Sequence, residues 1–175
     1  MNNLNNLMRG YSFESSVYRN LKYLLGDEMK FIRNMKIYSY KLKRFTEIDL
    51  VVIAPYGIYC IEAKAFRTSL SGNIGDNMWL GKTGMKATRV YNTFIQNNEH
   101  IRSLRNGLRN IGVFKPPMFN NIICVPDTCR ASSDFRDIYT MSQLIYKLKR
   151  DGIYEDRIYD IDYIYDLLKE VEERQ

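Results

Sequence analysis

Chemistry in this chain could come from Asp49, Glu62 and Lys64, which lie in the stretch EIDLVVIAPYGIYCIEAK, Glu47 to Lys64. The segments Glu47–Ala54 and Gly57–Ala65 are rich in Val, Ile and Tyr and flank Pro55-Tyr56. That spacing predicts two antiparallel strands closed by a tight turn. Ala54 then faces Gly57, and the same register sets Asp49 opposite Glu62. Directly opposed residues project to one side of a sheet, with Cβ atoms about 4.5–5.5 Å apart. Lys64, two residues beyond Glu62, shares that side. Two opposed carboxylates on otherwise apolar strands repel, and burial raises the cost. Lys64 supplies one compensating charge. A divalent cation would satisfy both acids, and hard oxygen ligands favour Mg²⁺ or Mn²⁺.

A third acid points the same way. Leu7, Tyr11, Glu14, Tyr18, Leu21 and Leu25 step along the first helix by threes and fours, so Glu14 interrupts an apolar stripe. A carboxylate so placed needs a partner or a raised pKa. A structural ion pair with Lys or Arg and membership of a metal site both fit. The remaining candidates are cationic. Lys82, Lys86 and Arg89 sit in a Gly-rich basic stretch suited to gripping a strand. Arg102, Arg105 and Arg109 share one helix face and could meet phosphates, or be solvated. His100, the only histidine, reads as an ordinary surface or groove residue. Tyr154, Tyr159, Tyr163 and Tyr165 read as core or subunit contacts.

The elements that must position these groups can be read along the chain. Helix is predicted from Leu4 to Leu25, ended by Gly26-Asp27, and strand from Phe31 to Tyr40. After the hairpin, Phe66 to Ala87 reads as irregular, with a short β segment near Met78-Trp79-Leu80. A second helix from about Thr88 to Asn110 is expected to bury Tyr91, Phe94, Ile101, Leu104 and Leu108. Pro116-Pro117 breaks the chain before a strand at Phe119–Val125, and Met141–Arg150 and Ile158–Glu173 read as helices. The order α-β-β-β-α-β with helical additions predicts an α/β fold, a mixed sheet with helices on both faces.

The chain has 175 residues, 45% hydrophobic and 26% charged, enough for a core of its own and typical of a globular domain. A disordered chain, a collagen-like repeat and a disulfide mini-protein are excluded. No apolar run approaches a membrane span, and MNNLNNLMRG has no secretory pattern. Three cysteines, with Cys60 and Cys124 inside apolar runs, read as buried thiols in a reducing cytoplasm. No Cys/His spacing suggests zinc, and no glycine pattern matches a nucleotide loop. The net charge of +6 is uneven: residues 1–110 hold 17 Lys and Arg against 8 Asp and Glu, giving +9, and residues 111–175 hold 9 against 12, giving −3. Such a basic body with an acidic tail suits a nucleic-acid binder, although a solvated surface carries the same charge.

Gly10-x-x-x-Glu14, Glu47-Ile48-Asp49 and Gly57-Ile58-Tyr59-Cys60-Ile61-Glu62-Ala63-Lys64 together resemble the nuclease-related domain (NERD) of the PD-(D/E)xK nuclease superfamily. The likeness continues through Gly72-Asn73-Ile74-Gly75, Trp79, and Asn92 with Gln96, over residues 9–125. One departure is Ile48 where the superfamily pattern has Pro. The resemblance implies an αβββαβ restriction-endonuclease-like core in a single domain, 1–175, with 126–175 as a helical extension. It also implies roles. Asp49, Glu62 and the carbonyl of Ala63 would bind Mg²⁺ or Mn²⁺. Lys64 would orient the attacking water and stabilise the transition state. Glu14 would complete the site, and Gln96 would lie at its rim.

The leading expectation is therefore a metal-dependent nuclease acting on phosphodiester bonds, in DNA rather than RNA. A nucleic-acid-binding module with a vestigial site, and an interaction domain in a larger DNA-processing assembly, are the alternatives. Lys82, Lys86, Arg89, Arg102 and Arg105 are the candidate nucleic-acid contacts. No membrane partner is expected; a homodimer and a protein partner in trans stay open.

Overall fold

The structure, a computed structural model, describes residues 2–131, 137–156 and 158–174, with side chains from residue 10 onward. Helix α1 (Asn2–Leu25) leads into strands β1 (Lys30–Ser39), β2 (Arg44–Ala54) and β3 (Gly57–Ala63). Three short strands follow, β4 (Ser69–Ser71), β5 (Met78–Thr83) and β6 (Lys86–Tyr91), then helix α2 (Thr93–Asn110). The chain ends with β7 (Phe119–Val125), β8 (Arg130–Ala131), β9 (Ile138–Thr140), α3 (Met141–Tyr154) and α4 (Ile161–Glu173). This is a mixed α/β architecture in which the expected α-β-β-β-α-β order holds for α1, β1–β3, α2 and β7, with β4–β6 inserted before α2 and β8 and β9 added after β7.

The main sheet has the order β1-β2-β3-β7-β9. Its first three strands are antiparallel, and β3, β7 and β9 run parallel. Every residue of β3 is buried, as a strand covered on both faces must be, which is why its sequence is a continuous apolar run. On one face Val17, Leu21 and Leu25 of α1 and Leu144 and Leu148 of α3 pack on Leu50, Val52, Tyr59 and Ile61. On the other, Ile101, Leu104 and Leu108 of α2 and Ile164 and Leu168 of α4 pack on Ile37, Ile48, Val51 and Ile53. Each such side chain contributes about 1.5–3 kcal/mol by leaving water.

Several expectations are corrected. Within Phe66–Ala87 the short β segment expected at Met78-Trp79-Leu80 is present and longer, as β5, but the rest is less irregular than expected, because β4 also lies there and both join β6 and β8 in a second sheet of order β6-β5-β4-β8. Thr88–Tyr91 is strand rather than helix: its main chain pairs with β5, and the helix cannot start before its cap at Asn92. Tyr91 is accordingly exposed, as are Tyr11 and Leu24 of α1. The segment after residue 125 is not purely helical, since β9 completes the main sheet. The Leu7 side chain lies outside the described residues. Cys60, Cys124 and Cys129 are free and buried. Among the described residues no helix is long and apolar enough to cross a membrane.

Candidate active site

The β2–β3 ladder has the register read from the sequence, with Ala54 opposite Gly57, but its last pair is Leu50 with Ile61. It stops one residue short of Asp49 and Glu62, so these acids are not a laddered pair; they sit where the two strands part. The freed Ala63 N–H donates to Asp49 Oδ2 at 2.8 Å, a side chain standing in for the main-chain acceptor. The next N–H, of Lys64, turns to Cys124 O on β7 at 2.9 Å. A kink accompanies the fork. Strict alternation would put residues three apart on opposite faces, yet Val51 and Ile48 share the α2-side core, and so do Ile32 and Met35 across the ladder. The break falls at Asp49 and at Asn34, whose φ of 49° is left-handed.

Glu62 is only 2% exposed. Its Oε1 accepts Lys64 Nζ at 2.7 Å and Gln96 Nε2 at 2.7 Å. Its Oε2 is buried with no hydrogen-bond partner, facing His100 Nδ1, which is equally unpartnered, at 3.7 Å. Gln96 and His100 are one helical turn apart, so they share the face of α2 turned to the sheet. The helix is registered by its start. Asn92 Oδ1 accepts the Phe94 and Ile95 N–H groups at 2.9 and 3.2 Å, while its Nδ2 donates to Ile74 O and Asp76 O. Asn97 then donates to Cys60 O at 2.7 Å and pins α2 to β3. The Asn…Gln spacing is thus a helix cap followed, one turn later, by a carboxylate donor.

The electrostatics follow from this crowding. Burial first, and the Glu62 charge second, push Asp49 from 3.8 up to about 7, against the pull of Lys64. Burial also raises Glu62, with Lys64 opposing. Burial alone would lower the Lys64 ammonium, but Glu62, Asp49 and Glu14 outweigh it and hold the net shift upward. Burial and then Lys64 lower His100 to about 4, so it is neutral near pH 7. Glu14, on the expected apolar stripe, is half-buried. Its carboxyl is raised by burial and then by Asp49, which places it in the field of the fork from the α1 side.

His100 is therefore not the ordinary surface or groove histidine expected; it is 3% exposed and turned to Glu62. Its spacing four residues after Gln96 was the available signal. Asn97 gave none. The cations divide. In the β5–β6 hairpin Lys82 and Arg89 lie on one face, while Lys86, paired with Thr83, lies on the other. All three are exposed and on strands, not in a loop. Arg102 donates to Glu99 at 2.9 Å and Arg105 stacks over Phe119 at 5.6 Å.

The groups fit a hard divalent cation. An orphaned, buried carboxylate oxygen and a second carboxylate whose charge is resisted are the donors that such an ion would satisfy. Among the described residues no three His, Cys, Asp or Glu side chains gather into a complete ligand set. The protein share of a coordination sphere here is two acids plus main chain, with water supplying the rest, as Mg²⁺ tolerates. A family model described as the nuclease-related domain matches residues 9–126. Comparison with curated proteins gave no match, and neither did comparison with solved structures.

Proposed function

The chain belongs to the nuclease-related domain family, and from that membership and the strand fork we propose that it is a metal-dependent nuclease hydrolysing phosphodiester bonds in DNA with Mg²⁺ or Mn²⁺. The observation that carries the reading is Glu62: a carboxylate buried to 2% exposure, held by two donors on one oxygen and by none on the other. A fold that needed only an ion pair at this point would not leave that oxygen bare, because an unsatisfied buried acceptor costs about 1–3 kcal/mol.

In this reading Asp49, Glu62 and the Ala63 carbonyl hold the ion. When bound, it supplies Lewis-acid polarisation of the phosphoryl group and a lowered pKa for water. Lys64 orients the attacking water and offers positive charge where negative charge develops on the phosphoryl oxygens. Gln96 holds Oε1 of Glu62, so that the bare Oε2 keeps a fixed direction. Glu14 adds a third negative charge from α1. The exposed Lys82 and Arg89, on one face of the second sheet, would take phosphates.

The test is plasmid and labelled-oligonucleotide cleavage by metal-free protein to which Mg²⁺ or Mn²⁺ is returned, with RNA in parallel. Cleavage should appear with either metal, vanish in EDTA and vanish in Lys64→Ala. Failure to cut either polymer with either metal would overturn the reading.

A further inference from the structure

The hairpin joining β1 to β2 carries exposed aromatic and cationic residues that none of the roles above employs. Its tip reads Tyr38-Ser39-Tyr40-Lys41-Leu42-Lys43-Arg44-Phe45. Tyr40 is 57% exposed and Phe45 56%. Both rings stand edge-to-face against Tyr38, at centroid distances of 5.1 and 5.4 Å. Single exposed rings are common on protein surfaces, but here two lie together on one hairpin tip and form a contiguous apolar patch. The turn is built rather than slack: Ser39 Oγ accepts the Leu42 N–H at 3.2 Å, Lys43 takes a left-handed φ of 52°, and Asn110 of α2 donates to the Tyr40 hydroxyl at 3.1 Å. Lys41 is spent on Glu99 at 3.0 Å, next to His100. Lys43 and Arg44 remain exposed beside the rings.

We propose that this tip is a stacking platform for an unpaired nucleic-acid strand, with bases resting on Tyr40 and Phe45 and phosphates held by Lys43 and Arg44. The proposal rests on the nuclease reading and deepens it, naming the unpaired strand as the substrate form. Phe45 precedes Asp49 on β2 by four residues, about 13 Å of strand, so a strand lying on the rings reaches the fork within a few nucleotides. Aromatic faces accept any base, but only a base freed from its duplex exposes its own face to them. An anionic membrane would also attract cations and rings. Yet Leu42 is the tip's one exposed aliphatic side chain, and the platform is continuous with the strand bearing the catalytic acid.

The experiment is fluorescence anisotropy of a short labelled oligothymidylate and of its duplex, in EDTA, with the full chain. The single strand should bind more tightly than the duplex. Tyr40→Ala and Phe45→Ala should each weaken it about tenfold, and Phe45→Trp should restore the Phe45→Ala loss, with each variant still folded and its thermal midpoint lowered by only a few degrees for the lost Tyr38 and Asn110 contacts. Lys43→Glu and Arg44→Glu should each reduce the log–log salt slope by about 0.7. Unchanged single-strand affinity in the ring variants would overturn the proposal. So would preference for duplex, or, in parallel sedimentation with phosphatidylserine vesicles, a loss by the ring variants confined to vesicle binding. Because binding is read without metal, failure to cleave leaves this result standing, and cleavage with unaltered binding refutes the platform alone.

Discussion

Asp49→Asn should make the metal-free protein more stable at neutral pH, although the side chain is largely buried and hydrogen-bonded. The carboxyl is raised from 3.8 to about 7, by burial first and by Glu62 second. A carboxyl raised on folding holds its proton more tightly in the folded chain. Its contribution to stability is therefore complete below about pH 4 and is lost as pH climbs towards 7. The loss amounts to about 4 kcal/mol above pH 7 and about 1.5 kcal/mol at pH 5. It belongs to the Asp49–Glu62 pair rather than to one residue. Asparagine is neutral throughout and keeps an oxygen for the Ala63 N–H. Urea unfolding in EDTA should give the same stability for both proteins near pH 4 and a widening gap to pH 8, where the variant melts about 10 °C higher. Added Mg²⁺ should reverse the order, stabilising the natural protein and leaving the variant unmoved. A variant less stable at pH 8 would refute the reasoning, because the carboxylate would then be a structural partner and not a strained ligand.

Lys64→Ala should abolish cleavage while Mn²⁺ binding, followed by calorimetry, survives, since the ammonium donates to Glu62 and is no ligand. Lys82→Glu with Arg89→Glu, which share a sheet face, should together lower the duplex salt slope by about 1.8, or 0.9 for each lost phosphate contact; filter binding at several salt concentrations reads this, and an unchanged slope marks them as solvated. Lys86→Glu, on the opposite face, should add little to that pair. Gly107→Ala should destabilise the fold by about 1–3 kcal/mol in urea, because its new Cβ would collide with Val171 where α2 and α4 touch.

Much of this protein was legible in the sequence because its rules are local. The tight turn at Pro55-Tyr56 between two apolar, β-prone runs set the hairpin register, and that register selected Asp49, Glu62 and Lys64 from a chain with many acids and lysines. The 3.6-residue stripe of α1 singled out Glu14. The strand at Phe119–Val125 was read to the residue, since Pro116-Pro117 fixes where it can begin. Where the period was weak the reading failed: Lys86–Tyr91 has no apolar alternation because it is an exposed edge strand, held by its ladder with β5 and not by burial.

What only the tertiary structure decided is how far the paired strands stay paired and what comes across to meet them. The ladder ends at Leu50–Ile61, so Asp49 caps a main-chain N–H instead of simply facing Glu62. Nothing in the local sequence encodes that fork, which coincides with the kink shared with Asn34, sixteen positions before Leu50 in the chain and adjacent only through the β1–β2 pairing. His100 became a buried neighbour of Glu62 because Asn92 and Asn97 fix the height and rotation of α2 against β3. A lone histidine on a helix carries no such information. Its burial and the bare oxygen opposite are made by contacts between elements far apart in sequence, and a site of this kind exists only once those elements have packed.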